Sequence, residues 1–168
     1  AALLELLANR AVSDEDDDAA RTAILTFTDR GDRLGGQSIV ALLKVTTNGG
    51  GGKAAVAADF LVDVDTKSLT AAIDAWACVS DDGGDAASKS FVNAALLELL
   101  ANRAVSGKDG VARTAIVTFT NRGDRLGGQS LVALLNVTKG GGDKAEVAAE
   151  FLEDVDISTL TTAIDAWA

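Results

Sequence analysis

The sequence predicts an α+β protein in which one unit is used twice. Three observations lead to that fold class. Residues 1–77 and 94–168 align almost throughout, with roughly three-quarters of positions identical. Each copy begins and ends in stretches rich in leucine and alanine, with apolar residues at helical spacing. Between them lie two runs rich in β-branched and aromatic residues, separated by a glycine-containing segment. Each copy therefore reads as α-β-β-α-α. The copies are expected to pack with pseudo-twofold symmetry around antiparallel hairpins. Residues 1–77 form the first repeat and 94–168 the second. Residues 78–93 are a linker whose last part, SKSFVN, starts the next helix.

Taken in order, AALLELLANRAV opens the first copy and recurs unchanged from Ala94. Its leucines lie around most of the helix, which is the pattern of a sandwiched helix. RTAILTFTD, or RTAIVTFTN in the second copy, fits a strand on its Ile, Thr and Phe content. SIVALLKVT, or SLVALLNVT, follows as a second strand, and GDRLGGQ joins the two as a hairpin loop.

KAAVAADFLVDVD (53–65) is ambiguous. Val56, Ala58, Phe60, Val62 and Val64 alternate as in a strand, whereas Val56, Phe60, Leu61 and Val64 share one helical stripe. Val62 is replaced by Glu153, which would be buried on a strand but faces water on a helix. Helix is preferred, and α-β-β-β-α is the alternative. Asp65 or Ser68 then caps a last helix carrying Leu69, Ile73 and Trp76.

Composition narrows the function classes. With 15 basic against 25 acidic residues and a formal charge of -10, the chain lacks the clustered cations that bind nucleic acid. No stretch approaches the roughly 20 apolar residues of a membrane span. There is no histidine, so catalytic arrangements built on Ser-His-Asp or Cys-His are excluded. The single cysteine, Cys78, rules out an internal disulfide and is a candidate interchain thiol. The chain opens inside a helical run without methionine, so it is expected to be cut from something longer. No enzyme activity, cofactor or metal is expected.

Two tripeptides are the candidate binding residues, Arg30-Gly31-Asp32 and Arg122-Gly123-Asp124. They resemble the integrin-recognition tripeptide of adhesive extracellular proteins. That resemblance implies an Asp that completes a receptor-bound metal site, an Arg that enters an acidic pocket, and a cell-surface receptor as partner. The competing reading is a turn, in which glycine supplies positive φ and the aspartate balances the arginines; it is preferred.

Asn136-Val137-Thr138 matches the N-glycosylation pattern, which favours an extracellular or cell-surface location. The glycine runs at 46–54 and 138–145 resemble a phosphate loop in placement only, because Lys53 precedes Ala54 and Asp143 interrupts the second run. Asp14, Asp16 and Asp18 have the opening spacing of a calcium loop, but Ala19 and Leu25 stand where glycine and glutamate are needed. Asp63, Asp65 and Asp74 read as caps and solvent-facing charges.

The expected function is a non-catalytic tandem-repeat structural or interaction module, with neighbouring repeats or further copies of itself as partners. The alternative is a carrier of a small apolar ligand, held between sheet and helices or between the repeats.

Overall fold

The computed structural model describes residues 2–13, 17–77 and 86–167, and its fold is helical. Ten helices make up the described residues: α1 (Ala2–Ser13), α2 (Asp18–Thr28), α3 (Arg33–Asn48), α4 (Gly52–Asp63), α5 (Thr66–Ala77), α6 (Ala86–Val105), α7 (Gly110–Thr120), α8 (Arg125–Lys139), α9 (Asp143–Glu153) and α10 (Ile157–Trp167). The chain divides into two compact units, residues 1–92 and 93–168.

The expected α+β class is therefore overturned, with the hairpins and the sheet that went with it. Both predicted strands of each copy are helices, α2 and α3 in the first and α7 and α8 in the second, and no strand occurs among the described residues. Residues 53–65 lie in α4 and the turn after it, so the α-β-β-β-α alternative fails too.

The spacing of buried residues explains the correction. In α2 the buried positions are Ala20, Ile24 and Thr28, four apart. In α7 they are Ala112, Ala115, Ile116, Phe119 and Thr120, one helical stripe. Threonine is tolerated here because its hydroxyl returns to the preceding turn. Thr26 donates to the Thr22 carbonyl at 2.7 Å and Thr118 to the Thr114 carbonyl at 2.8 Å.

In the first unit α3 is the central helix, packed against α1, α2, α4 and α5. It is buried on most sides, through Gly35, Gly36, Ser38, Ile39, Val40, Ala41, Leu42 and Val45. Its one buried hydroxyl, Ser38, donates to the Leu34 carbonyl at 2.8 Å, so no unsatisfied polar group is left there. In the second unit α8 takes the central place, against α7, α9 and α10. Asn136 of α8 also donates to Glu98 Oε1 of α6 at 2.7 Å. At the matching place in the first unit Lys44 is bound to Glu5, so both copies keep the link with a different donor. Arg21 lies over the Phe60 ring and Arg113 over the Phe151 ring, each 5.2 Å from the centroid.

Aspartate caps set the helix starts. Asp17 accepts from the Ala20 backbone N–H, Asp109 from Ala112, Asp32 from Gly35 and Asp124 from Gly127, at 2.9 to 3.0 Å. Asp65 and Asp156 serve α5 and α10 in the same way. These caps account for part of the chain's preference for Asp over Glu, because the shorter side chain reaches its own backbone three residues on.

At Asp156 the cap acts on the carboxyl itself. The Thr159 hydroxyl donates to it at 2.6 Å and the Thr159 backbone N–H at 3.0 Å, and together with Ser158 they hold its pKa down at about 2, against an ordinary 3.8. A carboxyl depressed in the folded state adds stability above its unfolded pKa and loses it as pH falls toward the folded value. The start of α10 should therefore weaken between pH 3.8 and about 2. Carboxyl carbon NMR should place the Asp156 midpoint near 2, rising in Thr159→Ala. A midpoint at the ordinary value in the unaltered protein would contradict the capped geometry.

Candidate functional site

Both RGD segments lie in the turn between two helices, not at a hairpin tip. Gly31 has φ +64 and Gly123 φ +65, left-handed conformations that glycine adopts without strain. The next residue is the helix N-cap, Asp32 for α3 and Asp124 for α8. One carboxylate oxygen of Asp32 takes the Gly35 N–H, and the other takes Arg30 Nε at 2.8 Å and Nη2 at 2.7 Å. Arg122 Nε and Asp124 repeat the pair at 2.8 Å. The arginine and aspartate of each tripeptide are thus closed on one another.

The electrostatics follow. The hydrogen bond from Arg30, then that from the Gly35 N–H, hold Asp32 below the usual carboxylate range. The same contact raises Arg30 above its already high value. The turn is also seated against the fold. A Cβ on Gly31 would come within 3.2 Å of the Ala71 Cβ on α5, and Ser68 Oγ of α5 donates to the Asp29 carbonyl at 3.2 Å. In the second copy a Cβ on Gly123 would stand 3.4 Å from the Thr162 Cγ2 of α10.

Two concavities border the glycine-rich turns. One, of about 600 Å³, lies in the first unit between the end of α1, Arg21 of α2 and the Gly50–Lys53 stretch that leads into α4. The other, of about 250 Å³, lies in the second unit between Glu98, Asn136 and Lys144. Both are open to solvent and mix charged with apolar walls. The glycine runs connect helix to helix, α3 to α4 and α8 to α9, and not strand to helix as the sequence suggested.

Asn136 lies within α8 rather than at a strand end, exposed, with its amide nitrogen donating to Glu98. Asp63 is exposed at the end of α4, Asp65 accepts from the Ser68 N–H at 3.1 Å, and Asp74 is half-buried in α5. Cys78, Asp14 and Asp16 lie outside the described residues, as do the side chains of Trp76 and Trp167. Among the described residues no three carboxylates or thiols gather closely enough to hold a metal ion. No described helix is long and apolar enough to cross a membrane.

The sequence reading missed the large apolar side chains that face outward, among them Leu3 and Leu6 on α1 and Ile157, Leu160 and Ile164 on α10. Leu3 and Leu6 stand three apart and Ile157, Leu160 and Ile164 at i, i+3 and i+7, each set on one helix face. Their spacing was legible, but spacing alone assigns such residues to the core.

Compared with known protein families, curated proteins and solved structures, the chain matches none.

Proposed function

We propose that the chain is a non-catalytic, repeat-built helical module that acts by binding protein, with neighbouring repeats and further copies of itself as first partners. The observation that carries this reading is a division of labour common to both units. Charged turn residues are engaged in capping and pairing, while aliphatic side chains stand on open helix faces. Exposed large apolar groups grouped on one face mark interaction surfaces more often than reaction centres.

The arrangement of the tripeptides argues against receptor binding through them. A receptor that reads aspartate and arginine at separate places needs both side chains free, and here each holds the other.

The concavity of about 600 Å³ is what favours the second reading, a small-ligand carrier. A carrier of an apolar molecule needs an enclosed, mainly apolar lining, and Arg21 and Lys53 border this open one.

Native mass spectrometry of protein purified from its natural source separates the two. The expected masses are that of the bare polypeptide or whole multiples of it. A small molecule that stays bound through purification would overturn the binding-module reading.

A further inference from the structure

We propose that Asn48, the last residue of α3, is a site of spontaneous covalent modification, at which the side-chain amide is lost as ammonia and a carboxylate takes its place. The inference goes beyond the binding-module reading and stands without it.

Sequence and structure both single out this residue. Of the chain's asparagines, only Asn48 is followed by glycine. The matching turn of the second copy has Lys139 before Gly140, so the site has no counterpart there. Glycine has no Cβ, which leaves its backbone nitrogen open to approach by the preceding side chain. Asn48 is exposed, and Gly49 turns out of the helix into extended backbone, φ -77 and ψ 126. Glycine is also required at 49, because a Cβ there would come 2.5 Å from the Val45 carbonyl oxygen. Beyond it, a Cβ on Gly50, Gly51 or Gly52 would meet no described atom within 4 Å, so the chain has room to rearrange.

The Gly49 nitrogen is held by its N–H, which donates to the Val45 carbonyl at 2.7 Å. That bond closes the last turn of α3, and helix ends open locally at little cost. Once it is released, hydroxide removes the Gly49 N–H proton and the nitrogen attacks Cγ of Asn48. A C–N bond forms, and the side-chain nitrogen takes a proton from water and leaves as ammonia. The product is a five-membered imide. Water then adds to either imide carbonyl and breaks one C–N bond, giving aspartate or isoaspartate. The sum is asparagine plus water to a carboxyl group plus ammonia, with nothing oxidised or reduced.

The formal charge thereby moves from -10 to -11. The added carboxylate sits at the C-terminal end of α3, where the helix dipole disfavours negative charge. Isoaspartate also places an extra methylene in the main chain and spoils the closing turn. Two nearly identical units thus become chemically distinct with age.

The test is to incubate the whole chain in mildly alkaline buffer at physiological temperature and digest samples with trypsin. Cleavage after Lys44 and Lys53 releases residues 45–53, which carry Asn48 alone among the asparagines. This peptide is expected to gain the mass difference between an amide and a carboxyl group and to separate into two products of equal mass. Conversion should outpace that at Asn9, Asn121 and Asn136 by about tenfold or more, a barrier difference of about 1.4 kcal/mol. The rate should rise in proportion to hydroxide. Urea should quicken it, by releasing the bond from Gly49 to Val45. In Asn48→Gln the same peptide should keep its mass, since ring closure is then slower by one methylene. An Asn48 that converts no faster than the other three overturns the proposal, as does a single product in place of two. A rate unchanged by urea overturns the role of the helix end.

Discussion

Leu42→Ala is expected to lower the unfolding free energy of the first unit by about 3 kcal/mol, and Leu134→Ala to do the same in the second. Both leucines lie on the central helix of their unit and are fully buried. Truncation removes apolar contacts and leaves a space that the surrounding helices fill only in part. A domain's whole stability is commonly about 5–15 kcal/mol, so the loss is a large fraction for a unit of this size. Urea unfolding followed at 222 nm gives the size, and amide exchange locates it. Faster exchange confined to the unit that carries the substitution is the expected pattern. Costs below about 1 kcal/mol would mean that α3 and α8 are not the cores of their units.

Gly35→Val should be nearly as damaging, by about 2–3 kcal/mol, for the opposite reason. A Cβ at this position would stand 3.1 Å from the Phe27 carbonyl oxygen, which belongs to backbone and cannot swing aside. A Cβ on Gly127 would stand 3.1 Å from the Phe119 oxygen, so Gly127→Val should behave alike. Gly50→Ala is the control. Nothing lies within 4 Å of a Cβ there, and its unfolding free energy should change by less than about 0.5 kcal/mol. If Gly35→Val were equally neutral in urea unfolding, the close approach of α2 to α3 would be wrong.

These two substitutions also show why only part of the fold was legible in the sequence. Helices α1, α4 and α5 declared themselves through apolar spacing, and Asp65 was recognisable as a cap because a helical stripe followed it. The choice at 53–65 turned on Val62 becoming Glu153, and both positions do face solvent on their helices. The segments RTAILTFTD and SIVALLKVT were misread because side-chain type was weighed above spacing. Ile, Val, Thr and Phe favour strands, but such preferences yield to packing. Ala20, Ile24 and Thr28 are four apart, and Asp17 stands three before Ala20, a helix start in plain view.

Gly35 and Gly36 pulled the reading toward a loop, since glycine costs a helix about 1 kcal/mol relative to alanine. The role of Gly35 in letting α2 approach α3 depends on a partner helix, which no local pattern displays. The RGD segment was placed in a turn on its glycines, but the kind of turn was wrong. Its Asp32 occupies the same position relative to Gly35 as Asp17 does to Ala20, and reading the two together would have revealed the cap.

Residues 1–13 and 94–106 are letter-for-letter the same, and one stretch forms α1 while the other ends α6. A chain emerging from the unfolded state thus holds two interchangeable keys for two near-identical locks. Nothing in those residues says which belongs where. Correct assignment falls to proximity along the chain, and a crowded refolding solution, where neighbouring molecules offer the same key, is where errors of exchange should accumulate.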